Sequence, residues 1–135
     1  MDVVVWSVIL AGVGAQLVKM FINIIQRKGL SWKDLIVTGG MPSSHSAFVS
    51  ALAMSIFLIE GLSTSFMIAL VVAMVVIRDA FGVRLTVGKE GDVLKKLLQK
   101  HRMSIDFKYS KGHTPLQAAV GTIFGIIVAV VIYLI

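Results

Sequence analysis

Apolar residues fall into four long runs: Val3 to Ile25, about Ser44 to Ile59, Thr64 to about Ile77, and Thr114 to Ile135. Each approaches the roughly 20 residues with which a helix crosses a bilayer. Four transmembrane helices in one domain, residues 1–135, are therefore predicted. The second and third runs are short, so their ends are expected to continue into protein-lined or interfacial space. Between them lies only Glu60-Gly61-Leu62-Ser63, a turn that makes these two helices an antiparallel hairpin. The long polar stretch before the last run has a pattern of its own. From Asp92 to Lys100, helical spacing puts Val93, Leu94, Leu97 and Leu98 on one face and the lysines on another, which predicts a short helix lying on lipid headgroups. The expected fold class is all-α, an integral membrane bundle of about four transmembrane helices with a cytoplasmic amphipathic helix between the third and fourth.

Composition supports the membrane assignment. Hydrophobic residues make up 57% of the 135 residues and mean hydropathy is +0.92, above what a soluble domain of this size carries. The chain starts Met1-Asp2, with no basic residues ahead of an apolar run that continues past Lys19, so the first helix is expected to stay rather than serve as a signal peptide. The absence of cysteine excludes disulfides and thiolate metal sites.

Charge gives the bundle a direction. Arg27, Lys28 and Lys33 lie in the first loop, and Arg78, Arg84, Lys89, Lys95, Lys96, Lys100, Arg102, Lys108 and Lys111 lie at the end of the third run or beyond it. In a four-helix arrangement every lysine and arginine except Lys19 falls on one face. The positive-inside rule makes that face cytoplasmic in a multi-pass protein of the cell membrane. A net charge of +6 suits an anionic lipid or substrate. Nucleic acid is excluded as a partner, because the basic residues have no interleaved aromatics and lie beside a membrane.

Three polar groups stand at that face. Gly39-Gly40-Met41-Pro42-Ser43-Ser44-His45-Ser46 places a proline, three hydroxyls and a histidine at a helix mouth. The expectation is that proline occupies the first turn and that Ser43, Ser44 and Ser46 donate to an anion there. Arg78-Asp79-Ala80-Phe81-Gly82-Val83-Arg84 closes the third helix; its arginines either fork onto a phosphate or tether Asp79 in a helix-end ion pair. Lys111-Gly112-His113-Thr114-Pro115-Leu116-Gln117 opens the last helix, with Gln117 one turn from His113 and suited to hold its imidazole in one tautomer. Gly121 and Gly125 follow as a close-packing face. On the first helix Gln16, Lys19, Asn23 and Arg27 form a polar stripe climbing toward the same face. Lys19 either snorkels to the interface or, as Gln16 and Asn23 beside it favour, faces a polar groove in the protein.

These motifs in order resemble the type 2 phosphatidic acid phosphatase superfamily, which includes the vanadium haloperoxidases, and more closely its divergent bacterial and plant branch of small membrane proteins. The likeness covers about Gln16 to Gly125. It implies metal-independent phosphoryl transfer through a phosphohistidine, with no cofactor. His113 would be the nucleophile and His45 the general acid, while Lys19, Arg84 and the amides around Ser43 and Ser44 would hold the phosphoryl oxygens. The chain departs from the pattern in three places. No arginine-proline pair follows Lys19, no serine-arginine pair precedes His113, where Ile105 to Phe107 lie, and Gln117 stands where an aspartate usually follows the nucleophile. Arg78 could then substitute for Arg84, and Asp79 could supply the missing carboxylate.

Two function classes follow. One is a membrane phosphatase acting on a lipid phosphate monoester, such as phosphatidylglycerophosphate or phosphatidate, at the cytoplasmic leaflet. The other is a non-catalytic protein that binds an anionic headgroup or moves a solute. A haloperoxidase is a distant third. Asp34, Asp79, Glu90, Asp92 and Asp106 lack the close spacing of a shared magnesium site. Four short helices enclose little interior, which points to a homodimer through a glycine-lined face.

Overall fold

The computed structural model describes residues 2–26, 41–103 and 112–135. Among them are five helices: α1 (Asp2–Ile25), α2 (Ser44–Glu60), α3 (Thr64–Phe81), α4 (Val83–Lys100) and α5 (Pro115–Leu134). No strand occurs among the described residues. Arg27, Lys28, Lys33, Asp34, Gly39, Gly40, Ile105, Asp106, Phe107, Lys108 and Lys111 lie outside them.

By length and composition α1, α5 and the near-continuous run Thr64–Lys100 can each cross a membrane. The fourth bundle helix, α2, has 17 residues and rises only about 26 Å, short of the roughly 30 Å hydrocarbon layer. It is the centre of the bundle, packing on α1, α3 and α5, while α1 and α5 also pack on each other. Among the described residues the outward faces of α1, α2, α3 and α5 are mainly apolar. The innermost residues are Ala11, Ala15, Ala47, Ala51, Ala118 and Ala129 together with Ser7, Ser43, Ser46 and Ser55, whereas Trp6, Phe21, Ile68, Val75, Ile123 and Ile127 face outward. This inversion follows from the solvent. Lipid tails are as apolar as leucine, so association depends on close approach of backbones across small residues.

The closest approach joins α5 to α2. A Cβ on Gly121 would overlap the Ser43 carbonyl, and one on Gly125 would overlap the backbone of Ala47. The glycine face is thus consumed within the chain, which removes it as a surface for the expected homodimer. By contrast α3 rests on α2 through Val49, Ala53, Ala69 and Ala73 with larger side chains around them. It meets α5 only weakly, leaving an apolar cavity of about 280 Å³ lined in part by Leu70, Met74, Thr122 and Ile126.

The α2–α3 hairpin forms as expected. Gly61 takes φ 66° at the α2 C-terminus, Ser63 caps α3 by accepting from the Phe66 amide at 3.1 Å, and Phe57 stacks on Phe66 with ring centroids 5.1 Å apart. The amphipathic helix is longer than predicted: α4 starts at Val83 rather than Asp92, separated from α3 by Gly82 alone. Its added turns carry Val83 and Val87 onto the same arc as Leu94 and Leu97, all exposed, opposite Lys89, Lys95, Lys96 and Lys100.

Candidate functional site at one end of the bundle

Three helix ends carry the polar motifs, and backbone hydrogen bonds tie them together. The Ser43 amide donates to the Gln117 carbonyl at 3.3 Å, joining the mouth of α2 to the first turn of α5. The His113 amide donates to the Ala80 carbonyl at 3.0 Å, joining the approach to α5 to the end of α3. Gly112, at φ 66°, passes so near the start of α4 that a Cβ there would stand 2.5 Å from the Leu85 nitrogen. Only glycine fits both that dihedral and that gap, and the consequence is that His113 is seated beside the α3–α4 junction, buried at 4% exposure.

At the α2 mouth the sequence expectation needs correction. Pro42 does not enter the first turn; it precedes the N-cap, which is Ser43. Ser43 Oγ accepts from the Ser46 amide at 3.4 Å and from Ser46 Oγ at 3.0 Å, and Ser50 Oγ donates to the Ser46 carbonyl. Ser43 and Ser46 are both fully buried. Their hydroxyls terminate and pack the helix, because an N-cap oxygen satisfies amides that have no carbonyl partner, and the Ser43 amide is committed to Gln117. What faces outward is His45, which is exposed, and half-buried Ser44. Their amides, at the first two helical positions, have no intrahelical acceptor.

Gln117 is also placed differently from the expectation. Its carboxamide oxygen accepts from the Thr114 amide at 3.0 Å, while its own amide donates to Thr114 Oγ1 at 3.3 Å. That reciprocal pair is a capping box, with Pro115 at the first helical position. The oxygen expected to hold the His113 imidazole is therefore engaged by backbone.

The cationic residues separate. Arg84 Nε donates to Asp79 Oδ2 at 2.6 Å in an ion pair that bridges the Gly82 break. Arg78 lies over Phe81, its guanidinium 5.3 Å from the ring centre. Lys19 is 9% exposed, so it faces protein rather than snorkelling. Arg84, Asp79 and Lys19 are the charged groups within electrostatic range of His45, which burial also affects, so α1, α2 and the α3–α4 junction border one polar region. His101, at the far end of α4, is exposed.

Below His45 an open groove of about 700 Å³ follows the seam between α1 and α2. Gln16, Ser44 and His45 are its polar residues; Ile9, Val13, Leu17, Met20 and Phe48 line the rest. The sequence stripe pointed to Gln16 but not to this apolar continuation, whose signal was the i, i+4 spacing of Ile9, Val13 and Leu17.

Residues 1–128 match the profile of the Divergent PAP2 family. The chain belongs to that family. A relative in Bacillus subtilis (strain 168), described as uncharacterized membrane protein YuiD, is 33% identical over 135 residues, covering 87% of this chain and 85% of its own length. No solved structure matches significantly. Membership extends the resemblance read from the three motifs to nearly the whole chain, α1 and most of α5 included.

Proposed function

We propose that the chain is a metal-independent membrane phosphatase that hydrolyses a lipid phosphate monoester, phosphatidylglycerophosphate-like or phosphatidate-like, at the cytoplasmic leaflet. The observation that carries this reading is the gathering of His45, His113, Lys19 and the Arg84–Asp79 pair at one end of the bundle, from α1, α2, the α3–α4 junction and the approach to α5. In the first step the His113 imidazole attacks phosphorus, the bond from phosphorus to the lipid oxygen breaks, and His45 delivers a proton to the departing alcohol. In the second, water attacks the phosphohistidine with His45 taking its proton, releasing inorganic phosphate and restoring both histidines. Lys19, Arg84 and the amides of Ser44 and His45 stabilise the phosphoryl oxygens. Arg84 is favoured over Arg78 as the forked donor because it acts on His45 while Arg78 lies on Phe81.

A second reading, binding or transport of an anionic headgroup without hydrolysis, draws on the capping of Gln117 and the burial of His113. The two separate in one experiment: phosphate release from vesicles containing each lipid phosphate, with EDTA present, by the wild type, His113→Ala and His45→Ala. Release abolished in the first variant and lowered roughly 10²- to 10⁴-fold in the second is expected for a nucleophile and a general acid. No release by folded wild-type protein would select the binding reading.

A further inference from the structure

The α1–α2 groove has three properties in combination. It is open along its side, toward where lipid would lie. Its depth from Met20 to Ile9 is eleven helical steps, about 16 Å, close to half of the roughly 30 Å hydrocarbon layer. Its polar residues stand at the basic end alone, with Lys19 buried on the same stripe between Gln16 and Met20. A groove one leaflet deep, mostly apolar and carrying Gln16, Ser44 and His45 near the end that faces the basic loops, matches a lipid with a polar, hydrogen-bonding headgroup.

We propose that this groove seats one acyl chain of the phosphomonoester lipid, holding the headgroup in register with His45; this rests on the phosphatase reading. Each methylene withdrawn from water contributes to lipid partitioning anyway, so the groove adds position rather than bulk affinity. The chain against α1 fixes how deep the phosphorus sits relative to the α2 mouth. A lipid with a chain too rigid or too bulky for the seam is excluded from the site although it shares the headgroup.

The test uses wild-type protein in vesicles with a phosphonate analogue of phosphatidate, which cannot be hydrolysed, bearing a photoreactive group on its acyl chain. A diacylglycerol with the same chain is the neutral control. After illumination, adducts are mapped by mass spectrometry. The phosphonate should label Val13, Leu17 or Phe48 several-fold more than Val71 and Val72, which are exposed on α3; the neutral probe should label both faces alike. Excess phosphonate lacking the photoreactive group, added before illumination, should suppress the groove adducts and glycerol phosphate should not. In Leu17→Trp, at a position already 59% exposed, groove adducts should fall several-fold with α3 adducts unchanged. Equal labelling of both faces by the phosphonate, or equal groove labelling by the two probes, overturns the proposal. Phosphate release, assayed separately, keeps the failures apart: release without groove labelling sinks the groove alone, and groove labelling without release sinks the phosphatase.

Discussion

Arg84 and Asp79 sit five residues apart on two helices, with side chains 42% and 35% exposed. Solvent screens such a pair, so its contribution to folding is about 0–1 kcal/mol, and Asp79→Asn should barely move the thermal midpoint in detergent. Its value is positional. Replacing Arg84 by Lys keeps the charge and removes the planar fork, and should lower kcat/KM for lipid phosphate roughly 10- to 100-fold, the worth of one charge-assisted hydrogen bond. Arg78→Ala should leave it nearly unchanged. Comparable losses in both variants would return Arg78 to the site. At this scale the sequence was informative about residue type and less so about role. His45 opens α2, Lys19 is buried on α1 and Arg84 stands in the first turn of α4 rather than closing α3, while Ser43, Ser46 and Gln117 spend their polar atoms on helix ends. For Gln117 the cue was present, since Thr114-Pro115-Leu116-Gln117 reads as a capping box; the nearness of His113 in the chain gave a competing account of the same side chain. Nothing in spacing alone reveals that the Ser43 amide pairs with a carbonyl 74 positions further on.

Among the elements, α2 and α5 meet where neither can grow. Gly125→Leu forces a branched side chain into the Ala47 backbone and should cost about 3 kcal/mol or more through overpacking, seen as a lowered melting midpoint. Gly61→Ala is the contrast: nothing lies within 4 Å of its Cβ position, so only the backbone, at φ 66° and ψ −143°, is penalised, by about 1–3 kcal/mol. If the two variants melted together, the tight α2–α5 approach would be wrong. Helix limits were legible because apolar runs and caps coincide, as at Ser63 and Thr114. The start of α4 was not. Gly82, Gly88 and Gly91 read as loop residues and Glu90 interrupts the apolar arc, yet Val83 and Val87 continue its phase.

For the whole molecule, orientation is testable because the chain carries no cysteine of its own. With a membrane-impermeant maleimide, Leu62→Cys at the hairpin turn should label in intact cells and Met103→Cys only after permeabilisation; the reverse pattern would place the histidine end outside. The packing also has a mechanical consequence. Backbone contact at Gly121 and Gly125 makes α2 and α5 one stiff block bearing both helix mouths. The α3 helix lies over softer side chains beside the space near Leu70 and Thr122, and it carries Asp79 and leads into Arg84. Slow breathing should therefore concentrate in α3: amide exchange there should outpace that of α2, and because the Ala80 carbonyl holds the His113 amide, any shift of the α3 end that carries the Asp79–Arg84 pair moves the neighbouring histidine with it.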